Sequence, residues 1–125
     1  MTPRHGIVLF AHGARDARWA EPFERLAEKL SALAPAGTDV ALAFLELMTP
    51  DLPTAVARQV ASGCTAVTVV PVFFGQGGHV RRDLPKVLDE CRAAHPDVEI
   101  RGAQPVGEDD AVLDALAQYC LRQIS

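Results

Sequence analysis

Short unbroken apolar runs alternate along the chain with longer stretches in which apolar residues recur every three or four positions. The first run, residues 6–11 (GIVLFA), has no polar interruption, the pattern of a strand buried on both faces. Residues 16–33 then carry Trp19, Phe23, Leu26, Leu30 and Leu33 at helical spacing, and Pro35 and Gly37 stop them. Residues 39–47 (DVALAFLEL) predict a second strand, with Glu46 near its end. Residues 50–61 predict a short helix, opened by Pro50 and Pro53 and closed by Gly63. Residues 66–74 (AVTVVPVFF) are rich in β-branched side chains and predict the third strand. Pro71 inside it requires a bend or a position whose N–H is not needed. A third helix is expected over residues 80–94, with Leu84, Val87, Leu88 and Cys91 on one side and Pro96 beyond its end. A fourth strand over 98–103 and a helix over 108–124 complete the pattern, with Glu108, Asp109 and Asp110 at the positive end of the last helix dipole.

Four strand–helix units with short connections imply parallel strands and right-handed crossovers. The predicted fold is α/β: a four-stranded parallel sheet with helices on both faces, in a flavodoxin-like arrangement. At 125 residues, with no linker, low-complexity segment or internal repeat, residues 1–125 read as a single domain.

Composition narrows the function classes. The chain is 49% hydrophobic and 22% charged, ordinary for a globular protein. Its net charge of −4 argues against nucleic acid as the main partner. No apolar run is long enough for a membrane span or a signal peptide. Cys64, Cys91 and Cys120 are odd in number, widely spaced and outside any CxxC, which reads as reduced thiols in a cytoplasmic protein.

The candidate chemistry lies where strands end. Ligands of open parallel sheets bind beyond the carboxyl ends of the strands. His12 follows the first strand, Glu46 stands at the end of the second, and His79 follows the third. Three residues of metal-ligand or proton-transfer type thus converge on one edge. A carboxylate inside AFLEL is costly among apolar neighbours, so Glu46 is expected to be paired, metal-bound or raised in pKa. Gly75, Gly77 and Gly78 match neither GxGxxG nor GxxxxGK[ST], so they read as a tight turn that lets the backbone approach a flat ligand. Arg81 and Arg82 open a helix whose dipole disfavours cations there, which points to an anionic ligand, with Arg15 as a weaker contributor. His5 and His95 read as solvated. The RHG of residues 4–6 is the histidine-phosphatase triplet, but it precedes the first strand and would face the wrong edge.

HGARD from His12 with Trp19 and Phe23 behind it, AFLEL from Ala43, and VVPVFFGQGGHVRRDLP from Val69 together resemble the small sirohydrochlorin chelatases among the class II chelatases. The resemblance runs from His5 to about Gly107; Ala14 stands where relatives commonly have serine. It implies the same sheet with helices on both faces, a chelatase-like half unit. Long members carry two such units in tandem, so it also implies a homodimer. The implied activity is insertion of a divalent metal (cobalt, iron or nickel) into sirohydrochlorin, with the metal as substrate and no tightly bound cofactor. Carried onto this chain, His12, Glu46 and His79 are the metal-binding and catalytic residues, the histidines on the metal and Glu46 receiving protons. Arg15, Arg81 and Arg82 would meet substrate carboxylates, and Gly77 and Gly78 would let the backbone close on the ring. The rival readings are a metal-delivery protein and a tetrapyrrole carrier, neither with turnover.

Overall fold

In the computed structural model, which describes residues 4–75 and 77–124 (of 78 and 79 the backbone only), the predicted alternation is present. The order is β1 (Arg4–Ala11), a 3-10 helix (Ala17–Ala20), α1 (Glu21–Leu33), β2 (Thr38–Phe44), α2 (Leu52–Ala61), β3 (Cys64–Pro71), α3 (Gly78–Ala94), β4 (Glu99–Gly102), a 3-10 turn (Val106–Glu108) and α4 (Asp110–Arg122). The strands form one parallel sheet in the order β2-β1-β3-β4. The chain steps from β1 to one side and then returns past it to β3, so the topological switch point lies between β1 and β3.

Local chemistry sets the helix starts. Asp51 accepts a hydrogen bond from the Thr54 N–H (3.0 Å) and caps α2; Asp109 accepts one from the Val112 N–H (3.1 Å) and caps α4. Hydrogen bonding to Thr54 holds the Asp51 carboxyl below its usual pKa. Pro71 proves to be the last residue of β3. Val72 N–H donates to Phe10 C=O on the β1 side, so by alternation the Pro71 nitrogen faces the β4 side, beyond the last pair, Val69 with Gly102.

The core lies on one face of the sheet. Val8, Phe10, Val67 and Val69 are buried there against Leu52, Ala55 and Val56 of α2 and Val80, Leu84, Leu88 and Cys91 of α3. Each fully buried Val or Leu contributes roughly 1.5–3 kcal/mol. Burial pushes the Cys64 and Cys91 thiols up in pKa, so both stay protonated. The opposite face is less complete. Helix α1 covers β1 and β2, yet Ala66, Thr68 and Val70 of β3 stay half-buried while the alternate Val67 and Val69 are fully buried. Helix α4 rests mainly on the 3-10 turn before it, and every residue in it except Val112 is exposed, Leu113, Leu116, Tyr119 and Leu121 included. His5, expected to be solvated, is exposed but also pairs its Nε2 with Thr68 Oγ1 at 3.0 Å.

Candidate functional site

The second strand ends earlier than its apolar run. β2 stops at Phe44, so Glu46 lies in the following loop and not inside a strand. Pairing with β1 nevertheless continues past both strand ends. Leu45 N–H donates to Ala11 C=O (2.9 Å) and Glu46 N–H donates to His12 C=O (3.1 Å). This clip carries the two loops side by side and sets His12 Nε2 3.7 Å from Glu46 Oε1. Their side chains are 53% and 56% exposed, so the expected apolar setting for Glu46 is corrected: its carboxylate is paired with His12 at an open surface. The apolar neighbours in AFLEL are turned elsewhere, Phe44 into the interior and Leu47 into solvent.

Two backbone features shape the clip. Gly13 has φ +100°, and a Cβ placed there would overlap the Glu46 carbonyl, so the close approach of the two loops demands glycine. Leu47 has φ +65°, and Met48 N–H donates to Glu46 C=O (2.8 Å), closing a three-residue turn around it. Such γ-turns are rare and strained, and a left-handed leucine costs on the order of 1–2 kcal/mol.

On the other side of β1, residues 72–74 leave β3. Phe73 meets Phe10 edge-on (centroids 6.4 Å apart) and points to the interior, while the adjacent Phe74 is 68% exposed. Gly107 N–H donates to Phe73 C=O (3.1 Å), and a Cβ on Gly107 would overlap the Phe74 backbone. Gly77 then caps α3, whose first turn holds no acidic residue but carries Arg81 and Arg82, both exposed. Among the described residues no side-chain partner is found for Arg15 or Arg81. Arg18 is committed to Asp16, which accepts from its guanidinium and its backbone N–H and is thereby held below the ordinary carboxylate pKa.

The structure thus brings His12 and Glu46 into contact. His79 lies in the first turn of α3, but its side chain lies outside the described residues. Among the described residues no three His, Cys, Asp or Glu side chains group closely enough to hold a metal ion. A groove of about 810 Å³ runs along the free edge of β2 between α1 and α2, and a depression of about 390 Å³ lies beside Glu46, lined by Met48, Thr49 and Pro50 among others. Glu46 lines the second of these, and the His–Glu pair itself is at an exposed surface, with both side chains more than half exposed.

Leu47, Phe74, Gly13 and Gly107 escape a reading by periodicity. Leu47 and Phe74 sit at the ends of apolar runs and look like strand interior. Only their exposure, with the backbone contacts behind them, sets them apart.

A parallel sheet with its switch point beside β1, a His–carboxylate pair beyond the strand ends and a basic start to α3 after β3 define an α/β protein whose candidate site is at the carboxyl edge of its sheet. The chain belongs to the CbiX family, which it matches over residues 6–122. A relative in Saccharolobus solfataricus named sirohydrochlorin cobaltochelatase is 32% identical over 119 residues, covering 90% of this chain and 91% of the relative. The crystal structure of a putative cobalamin biosynthesis CbiX protein from Marinobacter aquaeolei superposes with a TM-score of 0.84 at 38% identity, covering 96% of this chain and 97% of that one. The sirohydrochlorin chelatase SirB from Bacillus subtilis subspecies spizizenii, solved in complex with cobalt, gives a TM-score of 0.79 at 25% identity. It matches 92% of this chain with only 49% of its own length.

Proposed function

We propose that this chain is a sirohydrochlorin chelatase that inserts a divalent metal, cobalt(II) first among the candidates and iron(II) or nickel(II) as alternatives. The observation that carries this reading is the His12–Glu46 pair, 3.7 Å apart and open to solvent beyond the carboxyl ends of β1 and β2, in a chain of the CbiX family. The names of the family's relatives support the substrate and the first metal.

Insertion replaces two pyrrolic N–H protons by one M(II) ion. The ion must arrive with some of its water removed, and both protons must be accepted. Neutral imidazole suits these metals of borderline softness. In this reading His12 and His79 hold the ion loosely, leaving positions open for the pyrrole nitrogens. Glu46 accepts a proton and, being exposed, passes it to water. Arg81 and Arg82 at the start of α3, with Arg15 opposite, meet the carboxylates on the rim of the macrocycle, as guanidinium groups do well. Gly77 and Gly78 let the α3 N-terminus approach the ring. The chain works in the cytoplasm, its buried thiols reduced.

A homodimer completes the site. An open edge cannot bury a large flat ligand, which binds best with most of its surface enclosed. The exposed apolar residues of α4 and the half-covered sheet face over β3 are surfaces that a second copy covers. SirB, twice the length of the match, carries such a second unit's worth of chain in one polypeptide.

The test is an anaerobic absorbance time course of sirohydrochlorin with cobalt(II), iron(II) or nickel(II), using the wild type and His79→Ala. The reading expects conversion faster than without protein, by 100-fold or more, and loss of most of that acceleration in the variant. A shifted spectrum of bound macrocycle without conversion would make the chain a carrier. No spectral response would reduce it to a metal-binding protein.

A further inference from the structure

We infer that Leu47 and Phe74 are the apolar contacts for the flat faces of the macrocycle, one on each side of His12; the inference rests on the chelatase reading and adds residues to its site. Both are large apolar side chains left in water, Leu47 59% and Phe74 68% exposed. In the sheet order β2-β1-β3, the loops after β2 and β3 flank the loop after β1. Leu47 follows β2, His12 follows β1 and Phe74 follows β3. The three therefore stand side by side at one edge, on strands about 5 Å apart.

Neither exposure is incidental. Leu47 holds a left-handed backbone conformation that glycine or asparagine would adopt at lower cost, at the centre of a turn that begins at Glu46. The fold gains no buried leucine from this, since the side chain points to solvent. An apolar side chain kept at that cost, next to the residue proposed to take a proton, needs an apolar surface outside the subunit. Phe74 is held by a different device. Phe73 is anchored against Phe10, and in the bend that follows β3 the adjacent Phe74 is left exposed. Gly107 packs against the Phe74 backbone, where any side chain would collide, and its N–H donates to Phe73 C=O, so the backbone that carries the exposed ring is held in place.

The ligand chemistry fits. A conjugated macrocycle has an apolar, polarisable face and a charged rim. An aromatic ring and a leucine meet the face, while Arg81 and Arg82 at the start of α3, which follows the Phe74 loop, meet the rim. The metal-binding pair lies between them, under the centre of the ring. Here Leu47 and Phe74 bind and orient the macrocycle, and they take no part in holding the metal.

The experiment titrates metal-free sirohydrochlorin, followed by its absorbance, into the wild type, Leu47→Asn and Phe74→Ala. Asparagine tolerates the left-handed backbone, so the first variant removes the apolar group while keeping the turn. Each variant is also titrated with cobalt(II) alone, and its mass is measured by sedimentation. The inference expects about tenfold weaker macrocycle binding in each variant, cobalt(II) binding within twofold of wild type, and an unchanged mass. Wild-type affinity for the macrocycle in both variants would overturn the inference and leave the chelatase reading standing. A fall in mass would also overturn it, assigning these residues to the contact between subunits. Failure of the wild type itself to bind the macrocycle would overturn both.

Discussion

Gly13 shows how much of the site depends on single atoms. The His12–Glu46 pair exists because two loops approach closely enough for Glu46 N–H to reach His12 C=O, and the Glu46 carbonyl then occupies the space a Gly13 side chain would need. At φ +100° alanine is also strained. Gly13→Ala must therefore push the loops apart. The expected result is a loss of cobalt(II) affinity of at least tenfold, with thermal stability lowered by about 1–3 kcal/mol. Calorimetric titration and thermal unfolding read the two separately. Unchanged cobalt(II) affinity would show that the pair does not depend on this approach. At this scale the sequence shows the candidate residues and little of their setting. His12 and Glu46 are visible as polar residues closing apolar runs, but the exposure of Glu46 is not. β2 ends at Phe44 and leaves Glu46 in a loop that turns at Leu47, and a period-two pattern contains no sign of either.

The elements were legible in kind and less so in extent. All four strands and four helices are found where alternation and helical spacing put them, and the caps at Asp51 and Asp109 follow from local side-chain chemistry. Two strand ends lie three residues short of the apolar runs that signal them: β2 stops before Leu45–Leu47 and β3 before Val72–Phe74. In both cases apolar residues continue past the strand, with Leu45 and Phe73 packed against the core and Leu47 and Phe74 turned outward. Apolar periodicity reports burial, and it misleads where apolar side chains are turned outward. The helix α2 cap offers a prediction of its own. Asp51 has its pKa lowered in the folded state by the bond from Thr54, so its charge contributes stability above the ordinary carboxylate pKa near 4. That contribution is lost as pH falls through the lowered, folded-state value. Asp51→Ala is expected to cost about 1 kcal/mol at neutral pH. Asp51→Asn, which still caps, is expected to lose the acid-side dependence, so the stability difference between wild type and Asp51→Asn shrinks as pH drops below about 4. Urea unfolding at several pH values measures this, and an Asp51→Ala protein as stable as wild type would remove the cap from the account.

For the molecule as a whole, the sheet order decides where chemistry is possible. β1 lies inside the sheet, its neighbours are β2 and β3, and the loops of all three meet at the carboxyl edge. Everything assigned to function comes from those loops and from the first turn of α3, while α2 and α3 bury the core on one face. The other face, with an exposed α4 and a half-covered β3, is the less covered of the two. The sequence pattern could not show this, because α4 has the amphipathic spacing of a helix packed on its own domain. In the proposed function His12 and Glu46 act as one unit in metal insertion. The measurement that tests it is the initial rate of anaerobic cobalt(II) insertion into sirohydrochlorin by wild type, His12→Ala, Glu46→Gln and the double variant. If the pair works as a unit, each single change lowers the rate by about 100-fold or more and the double variant is scarcely slower than the worse single one. Single variants at the wild-type rate, or a double variant whose loss is the product of the two, would contradict it.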